Sequence, residues 1–179
     1  MHRKGVNYDI GTLTTRNTLS RETFDPAIVR REIEIIRSDL CCTAIRISGK
    51  DIERLVFAAE YALRQGLEVW FSPTLTDSGQ QETLTYIADC ARAAEKLRGQ
   101  APNLVFVVGL ELTAFMRGLV DGNNIFERLE TFMTPWRLVK STIVRGSFNN
   151  NLNAFLLKAT AVARECFHGK GASAAPAAW

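Results

Sequence analysis

Four times along this chain a short apolar run is followed by a polar turn and then by a segment with helical spacing of its apolar residues. That repeat restricts the fold more than any other feature. Strands separated by helices of this length are joined by right-handed crossovers, which makes the sheet parallel and places its strands in chain order. The last of the runs, Leu104-Val105-Phe106-Val107-Val108, is apolar without alternation, as expected of a parallel strand covered on both faces. The class is α/β.

The units follow from local signals. Val6, Tyr8 and Ile10 alternate with Asn7 and Asp9 between Gly5 and Gly11, marking strand one. A polar loop from Thr12 to Thr23 leads to Asp25 as N-cap and Pro26 in the first turn of a helix whose face carries Val29, Ile33, Ile36 and Leu40. Strand two spans about Thr43 to Ser48. Its helix opens near Asp51, carries Ile52, Leu55, Val56, Ala59 and Leu63, and stops at Gly66. Strand three is Leu67 to Ser72, closed by Pro73. Ser78 and Gln81 have the spacing of a capping box for a third helix, which carries Leu84, Ile87, Ala91, Ala94 and Leu97 to Gly99. Strand four runs from Leu104 to Leu110 and ends on Glu111. Beyond it, helices are expected over 125–132, over 136–144 and from Leu152 to about His168, around a turn at Asp121-Gly122-Asn123-Asn124. The expected organisation is one domain over 1–168 and a flexible Ala/Gly-rich tail over 169–179, in which no fifth strand is visible.

A chain of 179 residues with 46% hydrophobic content has room for one sizeable core. Its 22 basic and 19 acidic residues are interspersed and give a net charge of +3, with no basic stripe for a phosphate backbone, so nucleic acid is excluded as a partner. No apolar run is long enough to span a bilayer and the basic N-terminus lacks an apolar leader segment, which excludes a membrane partner and predicts a cytoplasmic protein. Cys41, Cys42, Cys90 and Cys166 show no metal-binding spacing and are expected to be reduced, buried, small hydrophobes; no metal or cofactor is expected. The two histidines, His2 and His168, lie near the ends, which disfavours a histidine-based triad.

Parity along the strands selects the candidate site, because residues two apart share a face. If Ile45, Ile47, Phe106 and Val108 face the helices, then Asn7, Asp9, Arg46, Ser72 and Glu111 share the opposite face near the strand ends, and Trp70 has the parity to wall that surface. In parallel α/β folds chemistry collects at those carboxyl ends. Glu111 beside Arg46 fits an acid/base carboxylate, and it equally fits an ion pair that merely neutralises charge within the sheet. Asp9 before Gly11 also fits turn chemistry, and Ser72 before Pro73 a loop hydroxyl.

Taken together, Lys4-Gly5-Val6-Asn7-Tyr8-Asp9, Phe24-Asp25-Pro26, Ala44-Ile45-Arg46-Ile47-Ser48-Gly49, Leu67-Glu68-Val69-Trp70-Phe71-Ser72-Pro73 and Gly109-Leu110-Glu111-Leu112 resemble the N-terminal half of a barrel family. Its members are actinobacterial proteins labelled abortive infection proteins, similar to glycoside hydrolases of the (β/α)8 type. The resemblance implies a truncated (β/α)8 TIM-type barrel: four parallel βα units, a half barrel, with extra C-terminal helices. It implies a sugar-directed fold with a carbohydrate ligand, Glu111 as the strand-four general acid/base and Arg46 as the strand-two arginine; Asn7, Asp9, Trp70 and Ser72, placed by parity, are expected to line that site. The glycosidase pattern puts its second carboxylate on strand seven, a segment this chain does not carry. Two expectations follow: a truncated, inactive or weakly active relative, or a sugar-directed hydrolase completed by dimerisation through exposed strand edges. An open flavodoxin-like binding domain is disfavoured, since no glycine-rich phosphate loop follows any strand.

Overall fold

The computed structural model describes residues 4–12, 18–99, 101–109 and 112–169. In chain order the elements are β1 (Gly5–Asp9), α1 (Pro26–Ser38), β2 (Ala44–Gly49), α2 (Ile52–Arg64), β3 (Glu68–Pro73), α3 (Gln80–Arg98), β4 (Leu104–Phe106), α4 (Leu112–Phe115), α5 (Ile125–Met133), α6 (Pro135–Arg145) and α7 (Phe148–Cys166). The strands form one sheet in the order β1-β2-β3-β4, all parallel. Chain order and strand direction are both as the repeat predicts.

Local chemistry starts the first two helices as expected. The Asp25 carboxylate accepts the Ala27 amide at 2.8 Å, ahead of Pro26, and the Asp51 carboxylate accepts the Arg54 amide at 3.0 Å. The third differs: Gly79 is the N-cap, without a side-chain cap, and the Ser78–Gln81 capping box is not made. Ser78 instead pairs with Met116 in an isolated parallel bridge, and the Asp77 amide donates to the Phe115 carbonyl. Tertiary pairing here outcompetes the local cap.

The core lies between one face of the sheet and the helices. Ile45, Ile47, Val69, Phe71, Leu104 and Phe106 are fully buried beneath Val29, Ile33, Leu55, Ala59, Ile87 and Ala94. Leu40, expected on the α1 face, is 45% exposed because the helix ends at Ser38. Cys42 and Cys90 are buried as expected, and burial pushes the Cys90 thiol up to about 12. Cys41 departs from that expectation. It is exposed and takes a left-handed φ of 51°, turning the chain from α1 into β2.

Strand four is shorter than its apolar run. The Val107 amide still donates to the Phe71 carbonyl at 2.9 Å, but the next ladder bond would need an N–H from Pro73, which has none. The chain leaves the sheet there. α4, α5 and α6 form an excursion, after which α7 packs along α3 with Phe155, Ala159 and Ala163 buried. Phe167 sets its ring 5.7 Å from that of Phe106. α7 therefore serves as the helix of the fourth βα unit rather than as an appendage, and the inserted helices occupy the loop between β4 and that helix. The coarse architecture is a four-stranded, all-parallel α/β unit, consistent with half of an α/β barrel.

Candidate functional site

Strand register brings most of the expected residues onto one face. Asn7, Arg46, Trp70 and Val105 stand in a single row across the four strands, and Asp9, Ser48 and Ser72 form the next row toward the carboxyl ends. This is the face the helices do not cover: Asn7 is exposed and Arg46, Trp70 and Val105 are half-buried. The Arg46 guanidinium donates from Nε to Ser72 Oγ at 3.3 Å, which links the two rows. Trp70 Nε1 donates to Glu68 Oε1 at 2.8 Å, fixing the indole along its own strand. Because Gly5 and Ala44 have little or no side chain, the surface dips beside Trp70 into a recess of about 160 Å³ that Asn7 and Arg46 also line. That volume is below the ~300–1,000 Å³ of an enclosed small-molecule pocket. A larger recess of about 410 Å³ lies away from the sheet, between the 121–122 turn, α5 and α6.

Asp9 is committed locally. Its carboxylate accepts the Gly11 amide at 2.9 Å, the Thr12 amide at 3.0 Å and the Thr12 hydroxyl at 3.0 Å. Gly11, at φ 124°, takes a backbone that side chains disfavour, so the pair forms a tight stop to β1. The turn chemistry compatible with the sequence is what the geometry holds. Glu111, with Leu110, lies outside the described residues, as do 170–179 of the expected tail.

Other charged residues stand out only in three dimensions. Glu68 shares the open face with Arg46 and adds a carboxylate at the amino end of β3. Tyr8, on the helix side of β1, donates its hydroxyl to Glu32 at 2.6 Å, while Arg21 donates to that hydroxyl at 3.2 Å and to Glu32 at 2.9 Å. Burial and the Glu32 contact push the Tyr8 phenol well above its usual range. Arg128 of α5 is fully buried. It donates to the carbonyls of Ala114 at 2.6 Å, Phe115 at 3.0 Å and Gly122 at 3.3 Å, and pairs with Asp77. Its only sequence sign is its position three residues after Ile125 on the inward face of α5. Both networks anchor loops at the carboxyl side of the sheet. Among the described residues, no cluster of three or more His, Cys, Asp or Glu is placed to hold a metal ion, and no helix is long and apolar enough to cross a membrane. No protein-family model matches the chain, and no curated protein matches it.

Proposed function

We propose that this chain is a glycoside-hydrolase-like half barrel that binds carbohydrate on its open sheet face and is inactive or only weakly active toward glycosides. The observation that carries this is the row Asn7-Arg46-Trp70 beside the small recess. An indole flanked by amide and guanidinium donors suits a sugar ring, whose apolar face stacks on an aromatic and whose hydroxyls accept hydrogen bonds. A shallow, half-open surface suits binding better than turnover, because catalysis needs water excluded and acid and base groups fixed. The resemblance to abortive infection proteins of the glycoside-hydrolase-like kind belongs to the same proposal.

A second reading, a hydrolase with Glu111 as general acid/base, draws support from the Arg46–Ser72 contact, which anchors a guanidinium one row below the strand ends. The two separate by experiment. Gluco-, xylo- and chito-oligosaccharides are titrated into the ¹⁵N-labelled full chain, and aryl glycosides are offered to the wild type and to Glu111→Gln. Binding predicts amide shifts confined to residues 5–9, 44–49 and 68–73, and at least about a tenfold loss of affinity in Trp70→Ala, or ~1.4 kcal/mol. Turnover by the wild type that Glu111→Gln abolishes would establish the hydrolase, whereas equal turnover by both removes Glu111. If no saccharide moves the open-face amides, the binding proposal fails.

A further inference from the structure

Hydrogen-bonding residues alternate along a parallel strand, so each edge strand turns every second amide outward. The Ile10 amide donates to the Ser48 carbonyl at 2.9 Å, so Val6, Tyr8 and Ile10 address β2 while Gly5, Asn7 and Asp9 face the outer edge. On β4, the Asn103 carbonyl accepts from Val69 and the Val107 amide donates to Phe71, both at 2.9 Å. Leu104, Phe106 and Val108 then face away from β3. Among the described residues no strand pairs with either edge. All strands point the same way, so a twofold axis along them sets β4 of one copy parallel to β1 of another, and does so twice. Eight strands result, the number at which a barrel interior is filled by side chains or holds one small ligand.

We propose that two copies of this chain associate edge to edge, β4 of each against β1 of its partner, so that their open faces line one shared interior. Three observations favour a second copy over solvent. Parallel sheets are normally covered on both faces, and here the helices cover one. The open face carries both signs of charge, on Glu68 and Arg46, so apposing two such faces does not oppose a single charge. The third lies in the excursion. Phe126, Leu129 and Met133 on α5, and Trp136, Val139 and Ile143 on α6, recur at helical spacing and are 41–83% exposed. Together they present on the order of 800 Å², more than the usual largest patch on a monomer and about one partner's share of a standard interface. α5 is tied to the segment after β4 through Arg128, and Phe132 packs edge-on against Phe148 of α7 at 5.7 Å. The patch thus belongs to the β4 side of the sheet.

The inference stands on the sheet and the helices, not on any ligand, so its failure would leave the carbohydrate proposal untouched. Sedimentation velocity of the full chain from about 1 to 100 μM brackets a micromolar Kd. A species of twice 20.0 kDa is expected, with concentration-dependent slowing of amide exchange at Asn7, Asp9, Phe106 and Val108. Ile143→Asp should weaken the dimer at least about tenfold while the circular dichroism is unchanged. A monomer throughout that range overturns the proposal. A dimer whose edge amides exchange as fast as in dilute solution overturns it too, because such a dimer would use another surface.

Discussion

Removing the Arg128 guanidinium should cost far more than a typical single substitution. The side chain is wholly buried and satisfies three backbone carbonyls together with Asp77, which is itself 26% exposed. In Arg128→Ala the Ala114 and Gly122 carbonyls lose this donor at ~1–3 kcal/mol each, Phe115 keeps the Asp77 amide, and water reaching the loop recovers part of the loss. The Asp77 pair adds less than a fully buried pair would, because one partner touches solvent. A net loss of about 3–5 kcal/mol follows, a large share of the ~5–15 kcal/mol that holds a domain together. With a urea m-value of roughly 2 kcal/mol/M, the midpoint should fall by about 1.5–2.5 M at unchanged m. Arg128→Met, which keeps the stem and loses the donors, should be almost as damaging; Arg128→Lys should fall between. A midpoint shift below about 0.5 M in Arg128→Met would refute the argument that the donors, rather than the volume, secure the excursion.

Other outcomes follow from single contacts. Arg98, bonding to the Glu95 carboxylate, holds it down to about 2 against an ordinary 4.5, helped by the His168 amide. A depressed carboxylate adds stability that is fully present above 4.5 and lost as pH falls toward 2, so Glu95→Gln should flatten acid unfolding in that window and leave the slope above pH 6 unchanged. Thiol labelling of the folded chain should modify exposed Cys41 fastest and spare Cys42 and Cys90 until denaturant is added; prompt labelling of Cys90 would contradict its burial and raised pKa. Tyr8→Phe should destabilise by ~1 kcal/mol, read from chemical denaturation, because Glu32 keeps its Arg21 partner.

Much of the fold is legible because its signals are local. Asp25 with Pro26, Asp51, and the alternation of Val6, Tyr8, Ile45 and Ile47 report caps and strand faces within a few residues of sequence. Parity also places Asn7, Arg46, Trp70 and Ser72 together, since a two-residue period and a parallel register are enough to do so. What escapes is decided by contacts distant in sequence. Ser78 gives up its box to pair with Met116, and Arg128 resembles any surface arginine until Ala114, Phe115 and Asp77 converge on it. The end of β4 depends on a proline in the neighbouring strand. α7 reads as an extra helix because only its packing on α3 assigns it to the fourth unit.

The in-order sheet also shapes how the chain is made. Each new strand emerging from a ribosome finds the preceding strand of the sheet already synthesised, so pairing can proceed outward from β1, although every parallel pair must first close a crossover that contains a helix, which is slower than hairpin formation. One long-range dependency is that of α3, whose outer flank stays bare until α7 has left the exit tunnel. A nascent chain stalled before Phe155 would carry that greasy flank uncovered, making the interval before α7 emerges the one in which chaperones have most to do.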